Sequence, residues 1–96
     1  MEITGIRIKL SNDGNVRAYA SIMIDGCFLV KGLAIFERPK GFFVSMPGRR
    51  TSNGVMRNFC YTLNKQTEKM IQDRVIAAFE AEIKKLENAD GTLLHQ

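Results

Sequence analysis

The chain is poor in the side chains that most enzymes and metal sites depend on. It has one histidine, His95, and two cysteines, Cys27 and Cys60, in 96 residues. A structural zinc site takes four ligands in closely spaced groups, which two isolated cysteines and a C-terminal histidine do not supply. A lone histidine also removes the commonest general base. No nucleophile–base set, phosphate-cradling glycine loop or paired-carboxylate site is visible, so the chain reads as a non-enzyme with no metal and no cofactor. Both thiols are expected to be buried and reduced, a disulfide between them being the alternative. No segment approaches the ~20 apolar residues of a membrane helix. Met1-Glu2-Ile3-Thr4-Gly5 shows no basic segment leading into an apolar core, so no export signal is expected and the cytoplasm is the default location.

The most informative shortage is of negative charge. Between Glu37 and Glu68, the thirty residues Arg38 to Thr67 hold six basic side chains and no acid. The whole chain has a formal net charge of +4, so this stretch supplies more than the entire excess. Its centre, Met46-Pro47-Gly48-Arg49-Arg50-Thr51-Ser52-Asn53-Gly54-Val55-Met56-Arg57, reads as a turn-rich loop between apolar segments. Guanidinium groups offer paired donors to phosphate, and each phosphate they neutralise releases counterions. Backbone amides and hydroxyls of such a loop can donate to phosphate oxygens as well. Arg49, Arg50, Thr51 and Arg57 are therefore candidate polyanion ligands. The bland alternative is a solvated turn, with Arg57 salt-bridged across a sheet.

Length and periodicity bound the fold. Ninety-six residues suit one domain, whose modest core would gain from association of subunits. Ile6, Ile8 and Leu10 alternate with Arg7 and Lys9; Val16, Ala18, Ala20, Ile22 and Ile24 alternate with Arg17, Tyr19, Ser21 and Met23. That period of two marks strands with one buried face. Asp13-Gly14 and Asp25-Gly26 are turn signals, and Gly32 inside the run from Cys27 to Phe36 suggests a bulge. Pro39-Lys40-Gly41 turns the chain into the strand Phe42 to Met46, and Asn58 to Tyr61 is a candidate last strand. Phe28, Phe36, Phe42, Phe43 and Phe59 are expected to be mostly core. One of Phe42 and Phe43 must face away from the helix side, because strand neighbours point oppositely. That ring, like Tyr19, would serve a dimer interface or stack on an unpaired base.

From Asn64 the period becomes helical. Ile71, Val75, Phe79, Ile83 and Leu86 form one apolar stripe, with Asn64 or Thr67 as N-cap and Glu80–Lys84 as an exposed ion pair. Lys65 and Lys69 lie near the helix N-terminus, where the dipole favours anions, and join the candidate site. Asn88-Ala89-Asp90-Gly91 is expected to stop the helix. The expected architecture is α+β: an antiparallel β-sheet of hairpins followed by a C-terminal amphipathic helix, in a homodimer. Residues 1–87 form the domain and 88–96 a flexible tail.

Several segments resemble the bacterial stage V sporulation protein G (SpoVG) family. They are Met1-Glu2-Ile3-Thr4-Gly5-Ile6-Arg7-Ile8, Val16-Arg17-Ala18-Tyr19-Ala20-Ser21-Ile22, Gly41-Phe42-Phe43-Val44-Ser45-Met46-Pro47, Arg49-Arg50-Thr51, Gly54, Arg57 and Ile71-Gln72-Asp73. They run collinearly over about residues 1–85. The resemblance implies a dimeric cytoplasmic regulator of gene expression that binds DNA, with RNA as a second polymer, named for sporulation. There are two departures. Asn58 stands where the family tends to carry an acid, which makes the site more basic. Thr67-Glu68-Lys69-Met70 replaces a threonine–arginine–glycine–lysine pattern, so contacts at Glu68 and Met70 are not carried over. The reading from another class is a protein-interaction module that recruits a partner through an exposed sheet edge or through Phe43, Tyr19 and Met23. No membrane or small-molecule partner is implied.

Overall fold

Four strands in meander order carry the molecule: β1 (Ile3–Asp13), β2 (Val16–Ile24), β3 (Phe28–Arg38) and β4 (Gly41–Ser45), each antiparallel to the next. Two short strands, β5 (Gly48–Arg50) and β6 (Met56–Asn58), pair as a separate ribbon, and α1 spans Lys65–Leu94. The computed structural model describes residues 2–94, with side chains for residues 2–87. The α+β class expected from the periodicities is the one observed. Among the described residues, no helix is long and apolar enough to cross a membrane.

The turn chemistry follows the sequence. Asp25 and Gly26 both take positive φ, 52° and 67°, and the Cys27 N–H closes the turn on the Ile24 carbonyl at 3.1 Å. Those angles match the right-handed twist of the flanking strands. Gly32, at φ 90°, lies in the bulge where Ser21 faces two residues of β3.

The core lies between one face of the sheet and one stripe of the helix. Ala18, Ala20 and Ile22 of β2, Leu33 and Ile35 of β3, and Val44 of β4 meet Ile71, Val75 and Phe79. Ile6, Ile8 and Leu10 pack at its margin. Two helix side chains also reach the outer strands. Gln72 bonds the Val44 backbone of β4, and Arg74 donates to the Ile3 carbonyl of β1 at 3.1 Å.

Several expectations are corrected. None of Phe28, Phe36, Phe42, Phe43 and Phe59 belongs to the fully buried core; the buried phenylalanine is Phe79. One helix is about 10 Å wide, whereas four strands span about 14 Å, so the sheet's margins outrun their cover. Phe42 meets the Phe79 ring edge-on at 4.8 Å, Phe43 faces the other side, and Phe28 and Phe59 are about two-thirds exposed. Cys27 is an exposed free thiol in a turn, and Cys60 is half-buried and free. The Asn88–Gly91 stop is also overridden, since the α1 backbone continues to Leu94. That quartet has no proline, and one helical glycine costs only about 1 kcal/mol. The side chains of the tail expected over 88–96, and all of His95, lie outside the described residues. Asn64 rather than Thr67 is the cap, its Oδ1 accepting from the Thr67 N–H at 2.7 Å. Lys69–Asp73, at 3.0 Å, is the ion pair that closes along the helix, and Glu80–Lys84 stays open. Exposed pairs of this kind gain so little that either state is cheap.

Candidate nucleic-acid interface

The centre of the acid-free stretch, which the sequence presents as a turn-rich loop, folds into a β-ribbon. The chain leaves β4 through Met46 and the buried Pro47, whose ring lies close against Gly32. Gly48 then pairs with Asn58, and the Phe59 N–H donates to the Pro47 carbonyl at 2.7 Å. A Cβ on Gly48 would run into the Arg57 carbonyl and sit 2.8 Å from the Asn58 Cα. Only glycine lets the two strands approach here. The expected strand at Asn58–Tyr61 lies earlier, at Met56–Asn58, because the ribbon's register is set by this contact.

The far end is closed by Thr51. Its N–H donates to the Val55 carbonyl at 2.8 Å, its carbonyl accepts from the Gly54 N–H at 2.9 Å, and its hydroxyl accepts from the Val55 N–H at 3.2 Å. Thr51 thus holds the turn that presents the arginines; only its hydroxyl hydrogen is left to donate elsewhere.

Arg49 and Arg57 are direct cross-strand partners, so their side chains leave the same face of the ribbon. Arg50 projects from the opposite face, and one guanidinium N–H donates to the Gly54 carbonyl at 3.2 Å. The Arg49 guanidinium lies 5.7 Å from the Phe59 ring centre. All three arginines are exposed. Among the described residues, the ion pairs are Arg17–Glu37 and Lys69–Asp73, so none of the three has a carboxylate partner. The cross-sheet salt bridge considered for Arg57 does not form. Arg17, read as a residue of the polar face, is the one that pairs across strands.

Like charges directly opposite each other destabilise a strand pair. A ribbon of three residues per strand is marginal to begin with. The Arg49–Arg57 pairing therefore costs stability, and an anion placed between the two guanidinium groups would relieve that cost.

The helix start is a weaker cationic element. Lys65 is exposed in the first turn, but Glu68 follows in the same turn and the Lys69 ammonium is held by Asp73. The structure gathers Arg49, Arg50, Thr51 and Arg57 on one ribbon. Lys65 and Lys69 sit on a different element, after the 59–64 connection. Lys31 and Arg38 are two further exposed cations outside the expected site. Lys31 is exposed beside Gly32, and the Arg38 guanidinium lies 4.4 Å above the Phe43 ring. The period-2 alternation could have placed both on the uncovered face, had the bulge been counted into the register.

A meander sheet backed by one helix, with a ribbon that carries three exposed arginines following its last strand, defines a small α+β protein; among the described residues none of the three has a carboxylate partner. The SpoVG family model matches residues 1–81, and the chain belongs to that family. It is 34% identical over 90% of its length to a Bdellovibrio bacteriovorus protein, covering 80% of that protein. It is 37% identical over 86% of its length to one from Caldicellulosiruptor bescii, covering 96% of it. A third relative, from Listeria monocytogenes, is 38% identical over 83% of this chain and 79% of its own. All three bear the name "Putative septation protein SpoVG", numbered 1 in Listeria.

Proposed function

We propose that the chain is a nucleic-acid-binding regulator of gene expression, acting as a homodimer and gripping the phosphate backbone through the β5–β6 ribbon. The observation that carries this reading is the Arg49–Arg57 cross-strand pair with no carboxylate partner among the described residues. A two-stranded ribbon is of a size that the major groove of B-form DNA admits. Arg50 on the other face and Lys65 at the helix start extend the cationic surface, with Thr51 holding the turn. Lys69 contributes once phosphate competes with Asp73 for its ammonium.

A second copy is supported by apolar surface at one end of the sheet. Phe28, Leu29, Tyr61 and Leu63 are exposed there, beside a groove lined by Ile24, Val30 and Met46. Exposed apolar area of this kind on a small domain marks an interaction surface. Pairing would double the formal charge from +4 to +8 and place two ribbons on one particle. The test is a gel-shift titration of duplex DNA with the wild type and with Arg49→Ala/Arg50→Ala. Loss of the shift at undiminished thermal stability supports the reading, and equal affinity of the two proteins rejects it.

A further inference from the structure

The face of the sheet turned away from α1 carries a second cationic surface of different shape. The strand registers place Arg7 beside Ser21, Lys9 beside Tyr19, Tyr19 beside Ala34, and Ala34 beside Ser45. Ser21 and Gly32 are small, so the face is low between Arg7 and Lys31. There a shallow groove of about 540 Å³ is lined by Arg7 and Lys9 on one strand, Tyr19 on the next and Lys31 on a third. All three cations are exposed, and no acid lines the groove. Asp13 accepts from the Tyr19 hydroxyl at 3.3 Å, which tethers the ring from beyond the groove and leaves it 39% exposed. Farther along the same face lies Phe43, with Arg38 above it.

We infer that this face binds single-stranded nucleic acid, its cations following the phosphates and Tyr19 stacking a base. The inference rests on the proposed nucleic-acid function but uses a surface that the arginine ribbon does not share. A duplex hides the faces of its bases, so an exposed ring on a flat sheet gains nothing from it; an unpaired base offers a π-face to stack. Cations flanking low ground suit a flexible chain, whereas the projecting ribbon suits a groove. The buried Pro47 beside Gly32 joins the two surfaces, since it directly precedes the ribbon and adjoins the bulge that carries Lys31. A dimer formed through the Phe28–Leu63 end would leave the face open.

Fluorescence anisotropy with a labelled single-stranded RNA of mixed sequence and a labelled DNA duplex, across a salt series, tests this. The proteins are the wild type, Lys9→Gln/Lys31→Gln, Tyr19→Leu, Tyr19→Phe and Arg49→Ala/Arg50→Ala, each checked for an unchanged melting temperature. Tyr19→Leu is expected to weaken single-strand binding about tenfold or more with duplex binding unchanged, and Tyr19→Phe to retain it. The double lysine variant should lower the single-strand salt slope by about 1.4, at about 0.7 for each lost phosphate contact. If Tyr19→Leu unfolds the chain, the lysine variant, altered only at exposed positions, decides alone. Single-strand affinity and slope unchanged in the sheet variants, or a fall in dimer mass with no effect on binding, overturns the inference while the ribbon reading survives. Wild-type protein that binds neither polymer overturns both.

Discussion

Gln72 and Val44 are joined by two hydrogen bonds: the side-chain Oε1 accepts from the Val44 N–H at 2.9 Å, and Nε2 donates to the Val44 carbonyl at 2.6 Å. The carboxamide thus acts as one residue of an additional strand along β4, an outer strand of the sheet. It satisfies backbone groups that would otherwise be half-buried and unpaired, and it denies that edge to another chain. Gln72→Ala is expected to cost about 1–3 kcal/mol. For a domain of this size that is a fall in Tm of roughly 4–8 °C per kcal/mol. Urea unfolding of the variant measures it; an unchanged midpoint would mean that water serves Val44 equally well.

Gly48 is held by space, Gly14 by backbone angle. Gly14→Ala meets nothing within 4 Å and pays only for its φ of 64°, about 1–2 kcal/mol. Gly48→Ala collides with the backbone of the facing strand. Hydrogen exchange should show protection lost at the Thr51 and Phe59 amides in Gly48→Ala while the β1–β4 amides stay protected. Duplex binding should fall with it, but not in Gly14→Ala.

Arg57→Glu separates stability from binding. It turns a repulsive cross-strand pair with Arg49 into an attractive one, a change of about 0.2–1 kcal/mol in favour of the ribbon. Amide protection in β5 and β6 should rise while DNA affinity falls. A parallel loss of both would show that the ribbon, not its charge, was the quantity altered.

Much of the architecture is legible in the sequence because the relevant signals are local. The alternation of β2, the Asp25-Gly26 turn, the Gly32 bulge and the Ile71–Val75–Phe79 stripe each follow from spacing within a few residues. Strand context reports which side a ring takes, not whether a helix covers it, so the strand phenylalanines expected in the core lie outside it. The Gln72 bonds link positions 28 apart and leave no periodic trace. At the site, charge composition pointed to Arg49, Arg50 and Arg57. The direct opposition of Arg49 and Arg57 depends on a register that Gly48 and Asn58 set. Thr51 has the composition of a phosphate donor, yet its backbone and hydroxyl oxygen close the turn.

Leu63 is 89% exposed at the mouth of an apolar groove. If the proposed homodimer forms through this groove, Leu63→Asp is expected to raise its dissociation constant at least tenfold by sedimentation, with the monomer's circular dichroism unchanged. A dimer of undiminished affinity would move the subunit contact elsewhere.

The most direct test of the central claim is the slope of log affinity against log salt for duplex DNA, measured for the wild type and Arg49→Ala/Arg50→Ala. Each phosphate contact contributes about 0.9 to that slope, so removing two is expected to flatten it by about 1.8 and to weaken binding at low salt. Identical slopes and affinities for the two proteins would contradict a phosphate-gripping ribbon.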